Sequence, residues 1–105
     1  MFARVSVYEI SGGRMDEAVE SFGSALEQIR NLDGFSEALV VVSPEDDRAL
    51  AITLWASRVA VEASRVTASQ ARTNAARAVD GSVVSAHEYE VAIRVVGASA
   101  PAPSG

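Results

Sequence analysis

Residues Arg48–Ala63 read RALAITLWASRVAVEA, and this stretch decides the fold of the chain. Its first half is apolar and ends at Trp55, the only tryptophan, as expected of a strand. Ser57 then favours a helix start, because its hydroxyl can accept a hydrogen bond from an otherwise free backbone N–H group. The stretch therefore predicts a strand that leads almost directly into a helix.

A similar strand and helix precede this stretch. Residues Phe2–Ile10 alternate between two faces, which is the period of a strand. After a pair of glycines, Met15–Leu32 repeat apolar residues at the spacing of one helix face, and Gly34 is a stop signal. The apolar stripe predicts a core face, and Phe22 is its one member that is also a candidate for lining a pocket.

Three strands and the second helix complete the predicted order β-α-β-β-α-β. The helix after Ser57 is expected to continue to Asp80 and Gly81, and an acidic solvated turn is expected at Ser43–Asp47. The remaining predicted strands are Phe35–Ser43, Arg48–Ala56 and Val83–Val96. This order is typical of an α+β ferredoxin-like domain, in which two helices cover one face of a four-stranded antiparallel sheet. We expect the domain to span residues 1–96 and the low-complexity tail, residues 97–105, to be disordered.

Composition and charge exclude several functional classes. The net charge is −5 and all basic residues are arginine, so the concentrated basic face of a nucleic-acid or anionic-membrane binder is not expected. The chain has no cysteine, which excludes disulfides and thiolate metal sites. No apolar run approaches the roughly 18 residues of a membrane span, and no signal peptide is recognisable at the N-terminus. These features favour a cytoplasmic protein.

The second helix carries two unusual stripes. One face presents small residues, among them Ser64, Ala68, Ala71 and Ala75, so the helix either packs close to the sheet or leaves a cavity beneath it. Another face presents an arginine every seven residues, at positions 58, 65 and 72. A solvated face is the common explanation of such a stripe, and an anion site is the alternative.

A homodimer is expected from the apolar strands. The runs in the second and third strands are apolar on both faces, whereas two helices can cover only one face of the sheet. A second copy of the chain is the simplest cover for the other face.

Four short motifs resemble the antibiotic biosynthesis monooxygenase family, whose members are dimeric α+β barrels. They are GGRMDEAVESF (residues 12–22), LDGF (32–35), ITLWAS (52–57) and HEYEV (87–91). The resemblance covers residues 1–96. It implies two sheets packed face to face, with a pocket between each sheet and its own helices.

The same resemblance implies a chemistry. Some members oxidise phenolic or quinol-type aromatic compounds with molecular oxygen and with no metal or flavin, because the deprotonated substrate is itself electron-rich. Trp55 matches the position of a pocket tryptophan, although simple core packing is an equal alternative. Ser6 stands near a family asparagine, and Arg4 and Tyr8 share its face, so these three become pocket candidates. His87 is the first candidate for a base because its ordinary pKa lies near neutrality, with a structural or surface histidine as the alternative.

The chain also departs from the family. Haem-degrading members carry a histidine ligand on the second helix, where this sequence has Arg65, so no haem is expected. No other cofactor or metal is expected either, since a single histidine and no cysteine cannot build a typical zinc site. Two functions stay open: a cofactor-independent monooxygenase of small aromatic or polyketide-type substrates, and a non-catalytic dimeric barrel that binds a small apolar ligand.

Overall fold

The computed structural model describes residues 1–98 and contains one four-stranded antiparallel sheet in the order β2-β3-β1-β4. Its strands are β1 (Phe2–Glu9), β2 (Phe35–Ser43), β3 (Arg48–Trp55) and β4 (Ser82–Glu90), and its helices are α1 (Met15–Ile29), α2 (Arg58–Ala63) and α3 (Arg65–Arg77). The helices pack on one face of the sheet, which confirms the predicted ferredoxin-like α+β fold. The predicted disordered tail lies, beyond residue 98, outside the described residues.

Local sequence accounts for the main turns. Ser57 caps α2 as predicted, because its Oγ accepts a hydrogen bond from the backbone N–H of Ala60 at 3.1 Å. Gly34 follows α1 with a φ of +80°, a conformation that residues with a Cβ rarely adopt. Its carbonyl oxygen accepts a hydrogen bond from Ala56 N–H at 2.8 Å, which fixes the turn before β2 against the end of β3.

The second predicted helix is not continuous, and this expectation was wrong. It breaks at Ser64 into α2 and α3. Ser64 Oγ donates to the carbonyl oxygen of Val61 at 2.9 Å, and Arg4 Nη2 donates to the same oxygen at 2.8 Å. In a regular helix this oxygen would accept from the N–H four residues later. The two side chains therefore hold the break in place.

The closing strand is shorter than predicted. β4 ends at Glu90, opposite Phe2, rather than at Val96. Only Met1 precedes Phe2, so β1 offers almost nothing for further residues of β4 to pair with. One more hydrogen bond forms, in which Val91 N–H donates to the Met1 carbonyl oxygen at 2.9 Å. The strand ends because its partner begins there. The predicted first helix also ends earlier, at Ile29, and Val19 of its apolar stripe is exposed.

The sheet face opposite the helices is open in the single chain. Its side chains are mostly apolar and come from all four strands, and the strand register aligns them in rows such as Leu39–Ile52–Val5. Leu39 is 54% exposed and Val41 45% exposed. Within residues 1–98, no helix is long and apolar enough to cross a membrane.

Candidate ligand site

A small cavity lies between the sheet and the helices α1 and α3. Its polar wall residues are Arg4, Ser6 and Tyr8 of β1, Thr53 of β3 and Arg72 of α3; its apolar wall residues are Phe22, Ala25, Leu26, Ile29, Ala51, Ala68 and Ala71. The cavity encloses about 40 Å³. This is room for a few water molecules, since one needs ~10–15 Å³, and about a quarter of a ~150 Å³ cavity that accepts benzene.

The alternating residues of β1 and the small residues of α3, both noted in the sequence, form opposite walls of this cavity. β1 contributes alternate residues because side chains on one face recur every second position. The small side chains of α3 let the helix approach the sheet, and Ala68 and Ala71 are only 5% and 4% exposed. Of the two outcomes expected from that stripe, close packing dominates and a small void remains. Arg4, Ser6, Tyr8 and Phe22 are therefore brought together around one cavity.

Tyr8 and Phe22 form the aromatic wall. Their ring centroids are 4.5 Å apart and the rings are inclined by 45°. Burial raises the pKa of the Tyr8 phenol, while the positive charge of Arg72 acts in the opposite direction. The phenol is thus neutral near pH 7 and can donate a hydrogen bond within the cavity.

Trp55 lies beside the cavity rather than in its wall. It is fully buried, packs edge-on against Phe35 with centroids 5.4 Å apart, and its Nε1–H donates to Thr53 Oγ1 at 2.9 Å. The guanidinium carbon of Arg4 lies 5.6 Å from the centre of its ring, within range of a cation–π interaction. Trp55 therefore supports two wall residues, Arg4 and Thr53, without contacting the void itself.

Arg4 is fixed by an unusually complete set of partners for a buried arginine. Nη1 donates to Ser64 Oγ at 3.2 Å, and Nη2 donates to the Val61 carbonyl oxygen at 2.8 Å and to Glu88 Oε2 at 2.9 Å. Arg65 Nη2 donates to the other oxygen of Glu88 at 2.6 Å. These bonds from Arg65 and Arg4 lower the pKa of Glu88 to about 2, so it is a carboxylate at neutral pH.

Arg72 is the functional candidate that sequence reasoning did not single out. It borders both the cavity and a larger polar cleft of about 340 Å³, whose other wall residues include Arg4, Arg65, Ser69 and Glu88. Burial lowers the pKa of its guanidinium. The seven-residue arginine repeat was the available signal, but the sequence could not tell which member turns toward the sheet.

His87 does not line the cavity, although it borders the outer polar cleft that Arg4 and Arg72 also line. The register pairs it with Val5, and paired residues of antiparallel strands point to the same face. Val5 precedes Ser6 and follows Arg4, so its face is the one opposite the cavity. The His87 ring accordingly lies 6.4 Å from the Tyr89 ring, two residues along the same face of β4. The face on which His87 lies could be assigned only from the register of β4 against β1.

The cavity does not fit a haem group. Haem iron is held by histidine, cysteine, methionine or tyrosine, and of these the described wall contains only Tyr8. A phenol with a raised pKa is a poor source of the tyrosinate that iron needs. Residues 1–98 also contain no cluster of three or more His, Cys, Asp or Glu side chains that could hold a metal ion.

The arrangement can exclude water, stack an aromatic ring and stabilise negative charge. Its walls offer a neutral phenol, two hydroxyls and two guanidinium groups, with no carboxylate or imidazole among the described wall residues. It therefore provides hydrogen-bond donors and positive charge in an apolar setting, where such interactions are stronger than in water.

Comparisons with solved structures agree on the fold. A candidate antibiotic biosynthesis monooxygenase from Deinococcus radiodurans superposes with a TM-score of 0.72 at 18% identity, covering 92% of this chain and 100% of that one. SnoaB, a cofactor-independent oxygenase from Streptomyces nogalater, gives 0.71 at 14% identity, covering 90% and 95%. MhuD, a haem degrader from Mycobacterium tuberculosis with two haems in its active site, gives 0.67 at 22% identity, covering 91% and 100%.

These likenesses support the resemblance to antibiotic biosynthesis monooxygenases that the sequence motifs suggested, and at such identities they establish the shared fold. No family model matches the sequence, and no curated protein matches it significantly. The chemistry of this chain must therefore be argued from its own residues.

Proposed function

We propose that this protein is a homodimeric, cofactor-independent monooxygenase-like protein of the cytoplasm that acts on a small aromatic or polyketide-type substrate. The observation that supports this most is the cavity between the sheet and its helices, where an aromatic wall meets a phenol and a guanidinium. Ligand sites are generally apolar with a few convergent polar groups, and this cavity has that composition.

In the proposed reaction the substrate provides the electrons. An activated CH₂ group and O₂ would yield a carbonyl group and water, so no external reductant is consumed. Arg72 would stabilise the deprotonated substrate, the Tyr8 phenol would donate a hydrogen bond to its developing oxyanion, and Phe22 would stack against its ring. Because the void encloses only about 40 Å³, a ring can enter only when a wall moves. Arg4 and Arg72 both border the outer cleft, and Arg4 is held by three hydrogen bonds, so Arg72 is the wall residue that is freer to move.

We propose further that the open sheet face forms the dimer interface. Two such faces would bury the exposed Leu39 and Val41 together with the half-exposed Ile52, in an interface of about 1,600 Å² or more in total. In sedimentation experiments, Ile52→Glu should convert a dimer to a folded monomer, whereas Val66→Glu, an exposed position on α3, should not. A wild-type monomer at micromolar concentration would contradict this proposal.

One observation favours the second function, a non-catalytic barrel that binds a small apolar ligand. A proton acceptor near neutral pH normally serves as general base, and the described cavity wall contains neither histidine nor carboxylate. A substrate acidic enough to lose its proton unaided would not need such a base. The two functions therefore differ in turnover and not in the site that they use.

The test combines binding with oxygen uptake. A panel of phenols and quinols, including anthrone, is titrated against the protein while Trp55 fluorescence and dissolved oxygen are recorded, with autoxidation in buffer subtracted. Oxygen uptake that saturates with substrate supports the monooxygenase, and binding without uptake supports the second function. Absence of both across the panel refutes the two together.

A matched pair of variants tests whether binding and turnover take place in the cavity. Ala71→Leu should fill the cavity and abolish binding and turnover, because Ala71 is part of the cavity wall. Ala63→Leu, the same substitution at an exposed position of α2, should leave both unchanged. Circular dichroism checks that each variant is folded. If Ala71→Leu folds and still turns over at the wild-type rate, the reaction occurs elsewhere.

A further inference from the structure

The arginine repeat on the second helical segment divides into three environments. The Arg58 guanidinium stacks on the Phe2 ring, 4.8 Å from its centre. Arg65 pairs with Glu88. Arg72 is half-buried and has no hydrogen-bond or ion-pair partner within the part of the chain that the structure describes. The repeat is thus neither a uniform solvated face nor a uniform anion site.

The cleft around Arg72 carries an excess of positive charge. Three guanidinium groups, one carboxylate and His87 line it, and Glu88 is already shared between Arg4 and Arg65. Arg72 is therefore the one cleft arginine that makes no direct ion pair with a described residue, although Glu88 acts on it at longer range. A partly desolvated charge is costly unless it is paired, so an anion that binds here can supply the ion pair that Arg72 lacks. The chain as a whole is acidic, with net charge −5, so this excess is local.

The geometry of the site also limits what kind of anion fits. One free guanidinium matches one planar carboxylate, which can accept two parallel N–H bonds from it. The Ser69 hydroxyl, in the same cleft, can donate a third bond. On its other side Arg72 borders the cavity with the aromatic wall of Tyr8 and Phe22. A ligand that uses both sides has a carboxylate in the cleft and an apolar ring directed toward the cavity.

We propose that the site selects aromatic ligands that carry a carboxylate, with Arg72 as the specificity-determining residue. This inference deepens the proposed function, on which it rests for the location of the ring. The acidic group binds at the boundary between cleft and cavity, where Arg72 borders both. Neutral ligands of the same shape lose this interaction and must leave Arg72 unpaired.

The experiment compares two isosteric probes, 1-naphthoate and 1-naphthamide, by isothermal titration calorimetry and by ligand-observed NMR. Wild type should bind the carboxylate at least about tenfold more tightly than the amide, as expected for a charge-assisted bidentate pair. Arg72→Gln should abolish that preference. Arg77→Gln removes the same charge from the exposed end of α3 and should preserve it. The preference should also weaken as salt concentration rises.

Each outcome decides the matter. Equal affinity for the two probes, equal losses in Arg72→Gln and Arg77→Gln, or no binding of naphthoate up to millimolar concentration would overturn the inference. Inorganic phosphate that competes with naphthoate at equal concentration would also overturn it, since the site would then be a general anion site. Carboxylate preference without oxygen uptake keeps this inference and refutes only the monooxygenase; uptake without preference does the reverse.

Discussion

Replacing Gly34 by alanine tests how closely α2 approaches the turn after α1. Gly34 has φ +80°, and a Cβ built there would overlap the Cβ of Ala60 on α2. The left-handed backbone costs an alanine ~1–2 kcal/mol. Forcing one extra carbon into a packed contact costs a further ~1–3 kcal/mol. We therefore expect Gly34→Ala to lose about 2–5 kcal/mol of unfolding free energy, a large part of the ~5–15 kcal/mol typical of a domain.

Two other glycines separate the backbone cost from the overlap. Gly13 has φ +81° but nothing within 4 Å of a built Cβ, so Gly13→Ala should lose only the ~1–2 kcal/mol of the backbone cost. Gly23 lies inside α1 with nothing within 4 Å, so Gly23→Ala should gain ~0.5–1 kcal/mol. The same substitution is thus expected to have three different outcomes.

Urea denaturation followed by circular dichroism measures all three changes. The double variant Gly34→Ala with Ala60→Gly closes a mutant cycle, in which removal of the Ala60 methyl group should recover the overlap cost but not the backbone cost. If Gly34→Ala loses no more than Gly13→Ala, or if the cycle shows no coupling, the close approach of α2 does not exist. The packing described for Trp55 and Arg4 would then also be wrong, because α2 helps to enclose both side chains.

Three further outcomes are expected. The unfolding free energy should fall by on the order of 1–2 kcal/mol as the pH drops from 4.5 toward 2, because the ion pairs of Glu88 stabilise the fold only while its carboxylate is charged and its pKa is lowered in the folded state. In pH-dependent melts, Glu88→Gln should remove most of this loss of stability. Truncation after Val96 should leave melting temperature and sedimentation unchanged, since the tail has little to bury, and a large drop would mean that it docks. Elemental analysis should find no stoichiometric metal, and chelators should not alter the melt; one bound transition metal per chain would contradict this.

The fold was largely predictable because local signals agreed with one another. The alternation of Phe2–Ile10, the cap at Ser57 and the glycine stop at Gly34 each specify an element within a few residues. The wrong predictions concern the end of β4 and the continuity of the second helix, where contacts with residues distant in sequence determine the structure. β4 ends where β1 begins, and at the break in the second helix Arg4, far away in sequence, donates to the Val61 carbonyl oxygen together with Ser64. Neither effect leaves a pattern in neighbouring residues.

The candidate site was predictable only within single strands. Alternation alone places Arg4, Ser6 and Tyr8 on one face, and the structure brings them together around the cavity. His87 required the pairing of β4 with β1, because a shift of one residue moves a side chain to the other face. Arg72 required knowledge of which side of α3 lies against the sheet and the cavity. The sequence thus predicts where the cavity lies better than it predicts which charged residues line it.

Arg4 and Arg72 border the same cavity, but only one of them can report on ligand binding by mutation. Arg4 donates hydrogen bonds to the Val61 carbonyl oxygen and to Glu88 and lies near the Trp55 ring, so its removal deletes several buried contacts and weakens the break between α2 and α3. A loss of binding in an Arg4 variant would therefore not distinguish a damaged fold from a damaged site. Arg72 makes no hydrogen bond or ion pair to another residue of the described chain, so its replacement by glutamine removes a charge without breaking such a bond. If Arg72→Gln leaves the unfolding free energy unchanged but abolishes the preference for the carboxylate probe, Arg72 acts in ligand binding, because a purely structural residue would not produce that combination.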